Sequence, residues 1–243
     1  MSPSSCVHEA GTMRMELADL DAGETLEFAA PPGEEAAALL VAGELEAGPD
    51  HVSRASPFEP RFAGWYLPSG QTLTASAKAP STVAVVTTTG ASLEGTGGES
   101  AFAEAGDGET RGRGEWERVV ITLIDPASTG SRRLIAGQTT HASGGWSSYP
   151  PHRHDGSGGE PYFEEIYHYR FDPPSGFGFQ GLYSDDFSEA RLIDDRDTLT
   201  IARGYHPVCA APGHRFTYFW ALCGPAADFR QVDDPVHEWV ASR

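Results

Sequence analysis

The sequence predicts an all-β protein built from two β-sandwiches or barrels, and three features indicate this. Glycine and proline, with 28 and 18 of the 243 residues, exceed their average usage of roughly 12% for the pair, and helix interiors tolerate neither residue. Short apolar or β-branched segments recur between turn residues. Only residues 36–42 resemble a helix, and that segment can equally form a strand. Strands and turns are therefore expected throughout.

A glycine-rich, charged segment divides these strands into two groups. Residues 94–115 contain seven glycines and few large apolar residues, a composition typical of a flexible connection. We therefore predict an N-terminal domain over residues 1–112 and a C-terminal domain over residues 113–243. The strands predicted before the connection are 25–28, 38–41, 71–75 and 82–89. Those predicted after it are 118–124, 133–138, 162–171, 177–183, 190–193, 198–202 and 215–222.

The charge of the chain argues against two classes of partner. The sequence has 17 Lys and Arg residues against 35 Asp and Glu, a net charge of −18, and Lys78 is its single lysine. Nucleic-acid binding needs clustered cations, and attachment to anionic lipid needs polybasic stretches. We therefore expect neither a nucleic acid nor a membrane as partner.

Targeting signals and cysteine spacing indicate the compartment. The N-terminal residues lack a cationic region followed by an apolar run, and nowhere do 18 apolar residues follow one another. Cys6, Cys209 and Cys223 are odd in number and have no CxxC spacing, which argues against a disulfide framework or a zinc knuckle. The sequence thus predicts a soluble, cytoplasmic protein.

Most histidines lie in the second half, and three of them have the spacing of metal ligands. His152 and His154 form an HxH pair, so on an extended strand both imidazoles point to one side. After a glycine-rich turn, either Glu164 or Glu165 can face them, but not both, because the two are adjacent on a strand. His206 follows a later strand and a turn. These residues predict a site of three histidines and one glutamate.

Such a nitrogen and oxygen ligand set suits Zn²⁺, Mn²⁺, Fe²⁺ or Ni²⁺, and the lack of thiolates argues against a closed structural zinc site. The alternative is that the HxH histidines are exposed loop residues, unrelated to the glutamate and to His206. The complete set instead matches the two-motif pattern of cupin barrels. We therefore favour one divalent metal ion, bound in the second half.

Four segments carry a resemblance to a known family. Residues 144–155 read GGWSSYPPHRHD, residues 159–186 read GEPYFEEIYHYRFDPPSGFGFQGLYSDD, and residues 203–222 read RGYHPVCAAPGHRFTYFWAL. With FEPRFAGWYLPSGQTLTA at residues 58–75, they resemble the 5-deoxy-glucuronate isomerase family of myo-inositol catabolism. The more distant 4-deoxy-L-threo-5-hexosulose-uronate ketol-isomerase shares the architecture. The resemblance implies a bicupin, two double-stranded β-helix barrels, with a metal only in the C-terminal one.

The resemblance also implies which residues bind the metal. The family's ligands correspond to His152, His154, Glu165 and His206, in agreement with the spacing. Glu165 is favoured over Glu164 because its Glu-Ile-Tyr-x-Tyr segment aligns with the Glu-Val-Tyr-x-Tyr segment of the related isomerases.

The implied reaction is an aldose–ketose isomerisation of 5-deoxy-D-glucuronate to 5-dehydro-2-deoxy-D-gluconate. The metal ion would chelate the carbonyl and the neighbouring hydroxyl and stabilise the developing enediolate as a Lewis acid. Tyr167 shares the face of Glu165 and is the first candidate for the catalytic base. Glu164 and His168 lie on the opposite face of that strand and rank lower.

Further residues are candidates for substrate binding. Arg170 and Arg203 are the nearest guanidinium groups in sequence for the substrate carboxylate, although each could instead form a surface ion pair. Gln180 and Tyr183 could bind substrate hydroxyls or pack within their strand. The partner is thus expected to be a small sugar acid.

Three other interpretations remain open at this point. The ligand set alone also suits an Fe(II)-dependent cupin oxygenase, another sugar-acid ketol-isomerase, or a sugar-acid-binding bicupin whose metal is structural. Oxygen dependence would separate the oxygenase from an isomerase. Barrels of this kind often associate through sheet edges, so a homo-oligomer is a further expectation, without a residue that carries it.

Overall fold

Twenty strands and two 3-10 helices make up the computed structural model, which describes residues 4–90 and 99–242. The first group of strands is β1 (Ser4–Glu9), β2 (Met13–Leu20), β3 (Thr25–Ala29), β4 (Ala36–Ala47), β5 (Asp50–Arg54), β6 (Phe62–Leu67), β7 (Thr72–Thr88) and β8 (Ala101–Ala105). The second group is β9 (Glu109–Arg111), β10 (Arg118–Ile124), β11 (Leu134–His141), β12 (Trp146–Ser147), β13 (His152–Arg153), β14 (Glu164–Asp172), β15 (Phe177–Tyr183), β16 (Ser188–Asp194), β17 (Thr198–Ile201), β18 (Val208–Ala210), β19 (Arg215–Cys223) and β20 (Val232–Asp233). The 3-10 helices are Gly114–Trp116 and Glu238–Ser242.

The strands form one large sheet in each half, and the two sheets share a topology. The first sheet has the order β1-β2-β7-β4-β6-β8, with β3 paired to β7 and β5 paired to β4. The second has the order β17-β14-β19-β11-β10-β9. The central trios β2-β7-β4 and β11-β19-β14 correspond in order and direction. A four-stranded sheet, β12-β18-β15-β16, and the pair β13-β20 complete the second half.

Three apolar cores follow from this arrangement. One fills the first barrel around Leu40 and Trp65. A second lies between the two large sheets and includes Leu39 and Phe219. The third fills the second barrel around Tyr169. Each large sheet is therefore buried on both faces, which explains why its central strands are apolar at nearly every position.

Strand β14 faces two of these cores. Ile166 lies in the core between the sheets, whereas Tyr167 and Tyr169 lie in the core of the second barrel. Alternate residues of a strand point to opposite sides. Glu165 therefore shares the barrel interior with the two tyrosines.

The all-β prediction is confirmed, and residues 36–42 belong to strand β4. The prediction of a flexible connection over 94–115 is wrong where the structure describes it. Strand β8 joins the first sheet beside β6, and β9 joins the second beside β10. Phe102 packs on Trp65 at 5.4 Å between ring centroids, so this segment contributes to a packed face despite its glycines. The part of the predicted connection at residues 94–98 lies outside the described residues. The domain boundary at 112/113 stays a prediction.

Within the described part of the chain, no helix has the length and apolar character needed to cross a membrane.

Candidate metal centre

The HxH pair lies at strand β13 of the second barrel. His152 belongs to β13, which pairs with β20 through Asp233, and His154 follows directly. The Nδ1–H of His154 donates to the carbonyl oxygen of Phe163 at 2.8 Å, which leaves its Nε2 directed at the neighbouring side chains. A backbone acceptor of this kind fixes the tautomer and the orientation of a ligating imidazole.

Glu165 lies between two of the histidines. Its Oε2 is 3.2 Å from Nε2 of His154 and 3.4 Å from Nε2 of His206. The Nδ1–H of His206 donates to the carbonyl oxygen of Gly204 at 3.0 Å, so this ring also presents Nε2 to the carboxylate. Gly204 has φ +84°, and a Cβ there would lie 2.6 Å from the carbonyl oxygen of Tyr183. The turn that positions His206 therefore requires glycine.

The cluster has the properties of a metal site. One ligand nitrogen from each of His152, His154 and His206 lies within 4.8 Å of the others. Nε2 of the buried His206 has no hydrogen-bond partner among the described residues, an arrangement that a metal ion would satisfy. Burial, and to a smaller extent the neighbouring histidines, lowers the pKa of His152 and of His206 to about 3. These two imidazoles are therefore neutral near pH 7, the form that binds metal.

The first barrel has no equivalent cluster among its described residues. Leu222 of β19 pairs with Glu165, and the corresponding residue of β7, Thr87, pairs with Ala36 of β4. Ala36 is fully buried in the apolar core of its barrel. A methyl group thus stands where the second barrel has its carboxylate.

A cavity of about 220 Å³ opens beside the cluster. His152 and Glu165 form part of its wall, and the hydroxyl-bearing residues Ser148, Tyr167 and Tyr218 form another part. Aromatic and aliphatic side chains from β19 and from the C-terminal segment contribute the apolar part of the wall. The cavity therefore combines the proposed ligands with hydrogen-bonding groups, as small-molecule sites usually do.

Tyr167 is a buried, protonated phenol in this wall. Burial raises its pKa well above the usual value, and the carboxylate of Glu165 raises it further. Its hydroxyl is 3.1 Å from Oγ of Ser148. Ser148 has φ +47°, a conformation that costs energy in a residue with a side chain and is often retained at functional sites.

Two of the three candidate catalytic residues lie on the other face of β14. Oε2 of Glu164 accepts hydrogen bonds from the backbone N–H and the hydroxyl of Thr12 in the first barrel, at 2.7 and 2.8 Å. Nδ1 of His168 is 3.0 Å from Oγ1 of Thr198, and burial lowers the pKa of His168 to about 3. Neither residue lines the cavity.

The arginines expected to bind the substrate carboxylate also lie outside the cavity. Nε of Arg170 is 3.0 Å from Oδ1 of Asp195. Arg203 is exposed, pairs with Asp186 at 3.0 Å and stacks on the ring of Phe187. Both arginines form ion pairs: that of Arg203 lies at the surface, as the sequence left open, whereas that of Arg170 is largely buried.

Gln180 and Tyr183 form hydrogen bonds to segments next to the metal cluster. The side-chain amide of Gln180 donates to the carbonyl oxygen of His206 at 2.6 Å, and its oxygen accepts a hydrogen bond from Tyr169. The hydroxyl of Tyr183 donates to Asp234 at 2.6 Å. Gln180 is therefore placed to hold the His206 turn, and Tyr183 to hold the C-terminal segment against the barrel.

Sequence reasoning missed other residues of the cavity wall, notably Arg111, Arg118, Ser147 and Ser148. The two serines lie within the GGWSSYPPHRHD segment, so their closeness to the HxH pair was a usable signal. Arg118 had no such signal, because only the pairing of β10 with β11 brings it into the second barrel.

The chain matches a family model and several known proteins. The model of the KduI/IolB family matches residues 3–240. A 5-deoxy-glucuronate isomerase of Geobacillus thermodenitrificans is 38% identical over 136 residues, 54% of this chain and 49% of that protein. One of Bacillus subtilis strain 168 is 34% identical over 139 residues, 56% of this chain and 51% of that protein. The chain thus spans about half the length of the curated relatives it matches.

Solved structures extend the likeness to the whole fold. An IolB-like protein of Salmonella typhimurium superposes with a TM-score of 0.81 at 28% identity, covering 94% of this chain and 90% of that one. Oxalate decarboxylase of Bacillus subtilis gives a TM-score of 0.58 at 11% identity, covering 91% and 71%, which is a likeness of fold alone. The prediction of a bicupin is confirmed. Because the family model spans nearly the whole sequence, the chain belongs to the KduI/IolB family.

Proposed function

We propose that the protein is a metal-dependent aldose–ketose isomerase that converts 5-deoxy-D-glucuronate to 5-dehydro-2-deoxy-D-gluconate. The observation that carries the proposal is the cluster of three histidines and one glutamate beside a cavity, in a chain of the KduI/IolB family. The relatives from Geobacillus and Bacillus are named for this activity. The substrate is accordingly a small sugar acid.

The proposed ligands are His152, His154, Glu165 and His206. Hydrogen bonds to the backbone orient two of the imidazoles, and the depressed pKa values of His152 and His206 keep those rings unprotonated. The donor set suits Zn²⁺, Mn²⁺, Fe²⁺ or Ni²⁺. A divalent ion bound there would polarise the substrate carbonyl and lower the pKa of the adjacent hydroxyl.

Tyr167 is the proposed proton-transfer residue. Of the three candidates, it alone has a side chain in the cavity wall. Because burial keeps its hydroxyl protonated, Tyr167 can donate a hydrogen bond or a proton to a substrate oxygen in the resting protein. Ser148, at 3.1 Å, can orient that hydroxyl. Glu164 would have to leave Thr12 to reach the cavity, and His168 would have to leave the core between the sheets.

An anaerobic NMR assay in D₂O tests the function. Metal-replete protein is mixed with 5-deoxy-D-glucuronate, and loss of the aldehyde signal is followed together with deuterium entry at the new hydroxymethyl carbon. We expect conversion without oxygen. Deuterium incorporation would indicate an enediol route with an exchangeable proton. Its absence would indicate a hydride shift or a proton transfer shielded from solvent.

The same assay separates the alternatives. An Fe(II)-dependent oxygenase would leave the substrate unchanged without O₂ and consume O₂ when it is admitted, and a binding protein would return the substrate unchanged under both conditions. Turnover of another uronate in place of 5-deoxy-D-glucuronate would identify another sugar-acid ketol-isomerase. No turnover of 5-deoxy-D-glucuronate with any of Zn²⁺, Mn²⁺, Fe²⁺ or Ni²⁺ would contradict the proposal.

A further inference from the structure

The cavity beside the metal centre has a cationic end. Arg111 of β9 and Arg118 of β10 are register partners, and both line the cavity that Glu165 and His152 also line. The chain as a whole carries a net charge of −18. An arginine without a counter-charge at a cavity of so acidic a protein would create a local site for an anion.

The partners of Arg118 are a carbonyl oxygen and an aromatic ring. Its Nη1 donates to the carbonyl oxygen of Trp116 at 3.1 Å, and its guanidinium lies 5.8 Å from the centre of the Trp116 ring. Within the described residues, no carboxylate lies within ion-pair distance of it. Arg111, by contrast, is exposed and binds Glu109 through two nitrogens.

Burial of the Arg118 guanidinium without a carboxylate partner costs free energy unless an anion binds. Arg118 is partly buried, and burial lowers its pKa because the charged form is desolvated. A desolvated guanidinium without a counter-charge is unfavourable, and a planar carboxylate can offset that cost by accepting two parallel hydrogen bonds. The chain itself supplies no such carboxylate among its described residues, so the cavity is suited to receive one from a ligand.

We propose that Arg118 binds the carboxylate of the sugar acid and so fixes which end of the substrate reaches the metal centre. This inference rests on the proposed function. Arg118 shares one cavity of about 220 Å³ with His152, Glu165 and Tyr167. A small acid bound in that cavity can therefore contact the guanidinium with its carboxylate while its other end faces the metal centre.

Arg118 thereby sets substrate specificity. With the carboxylate held at β10, the carbon chain extends towards β14, where Tyr167 and the cluster lie. A sugar that lacks the carboxylate would leave the guanidinium desolvated and unpaired, so the site would discriminate against it. Arg111 is neutralised by its pairing with Glu109, so the charge at this end of the cavity comes from Arg118.

Steady-state kinetics of R118Q and R118K test the inference, with R191Q as the matched control. Arg191 is exposed and pairs with Glu189 on β16, away from the cavity. Each protein is assayed with 5-deoxy-D-glucuronate and with its neutral analogue 5-deoxy-D-glucose. For R118Q we expect kcat/KM with the acid to fall about 10- to 100-fold, mainly through KM, and to change less than about threefold with the neutral sugar. R118K should lose less than R118Q, and R191Q should match wild type.

A binding measurement separates failure of this inference from failure of the proposed function. Calorimetric titration of metal-free protein with D-gluconate and with sorbitol needs no turnover, and without metal the gluconate carboxylate cannot chelate an ion. We expect wild type and R191Q to prefer gluconate, and R118Q to lose that preference. Such a result without isomerase activity would overturn the function and keep Arg118 as the carboxylate site. Isomerase activity with an unchanged KM in R118Q, or equal binding of gluconate by wild type and R118Q, would overturn the role of Arg118. A protein that neither turns over the acid nor binds gluconate would overturn both.

A structural role alone would give a different result. If R118Q merely loosened the barrel, kcat/KM would fall equally for the acid and the neutral sugar, and metal content and thermal unfolding would change in parallel. That outcome would also overturn the inference.

Discussion

Glu35 of the first barrel and Glu164 of the second occupy the same position in their sheets, and each binds the backbone of the opposite barrel. The backbone N–H of Thr88, at the end of β7, donates to the carbonyl oxygen of Glu35. Cys223, at the end of β19, pairs with Glu164 in the corresponding way. The Glu164 carboxylate binds the N–H that precedes β2, and the Glu35 carboxylate binds three consecutive N–H groups where β11 begins. The two barrels are thus held together by a reciprocal pair of buried carboxylates.

Glu164 is therefore expected to act in stability rather than in catalysis. Glu164→Gln should lower the free energy of unfolding by about 1–2 kcal/mol, because it weakens charge-assisted hydrogen bonds to Thr12. Metal content and kcat should stay within about threefold of wild type. Urea denaturation and the NMR assay measure the two quantities, and Thr12→Val completes a double-mutant cycle. Loss of turnover at unchanged stability would reinstate Glu164 as a catalytic residue.

Removal of one histidine of the cluster should abolish metal binding and activity together. His154→Ala deletes an imidazole whose Nε2 lies 3.2 Å from Glu165, and elemental analysis of the purified protein should show no stoichiometric metal. His51→Ala is the control, because His51 is exposed in the first barrel and pairs with Glu44. A His154→Ala protein with full metal content and normal rate would show that the site is elsewhere.

Tyr167→Phe should keep the metal and slow the reaction. General acid–base groups contribute roughly 10²- to 10⁴-fold, so we expect kcat to fall within that range while metal stoichiometry is unchanged. Tyr162→Phe, which removes a partly exposed hydroxyl outside the cavity, is the control. If Tyr167→Phe reacts at the wild-type rate, a group other than Tyr167 transfers the proton.

Gly204→Ala should displace His206 and weaken metal binding at least about tenfold, a size of effect typical for the supports of metal ligands. An alanine there combines a positive φ with a close approach to the Tyr183 carbonyl. Gly213→Ala is a matched control: its φ is +92°, but a Cβ would meet nothing within 4 Å. The Gly213→Ala variant should lose about 1 kcal/mol in free energy of unfolding, and its metal affinity should equal that of wild type. Equal metal affinities in both variants would contradict the role assigned to the Gly204 turn.

His141 predicts how stability depends on pH. It stacks on Phe216 at 4.5 Å in the second barrel, and neither ring nitrogen has a hydrogen-bond partner among the described residues. Burial, and to a smaller extent the charge of Arg118, lowers its pKa from 6.5 to about 3. Below pH 6.5 the unfolded chain binds a proton that the folded chain does not, so the folded state loses stability as pH falls towards 3 and gains none above 6.5.

The comparison with His141→Phe isolates this effect. Between about pH 6 and 4, the free energy of unfolding of wild type should fall relative to the variant by up to about 1.4 kcal/mol per pH unit. Urea denaturation of metal-free protein across that range measures the difference. A difference that does not vary with pH would show that His141 keeps a near-normal pKa in the folded protein.

Strand periodicity predicted the part of the site that depends on one strand. The alternation along β14 placed Tyr167 with Glu165 and set Glu164 and His168 apart, and the structure has the same two faces. Arg170 lies on the same face of β14 as Glu164. The same alternation would therefore have removed Arg170 from the candidate substrate-binding residues. That prediction followed nearness in sequence instead.

Residues brought in by strand register could not be found in this way. Arg118 reaches the cavity because β10 pairs with β11, and His141 lies opposite Arg118 in that pairing. No local pattern around either residue encodes the pairing. The strands β8 and β9 were missed for a related reason: their glycine-rich surroundings indicate turns, whereas neighbouring strands supply the hydrogen bonds that order them.

Because both faces of β14 are buried, the two barrels cannot be separated without exposing apolar surface. A fragment of the second barrel alone would carry Ile166 and Phe219 on an uncovered sheet face, so separate expression should yield aggregates rather than a soluble folded fragment. The first barrel, whose described residues form no metal-ligand cluster, is the permanent partner of that face. Neither barrel can therefore be removed without exposing the apolar sheet face of the other.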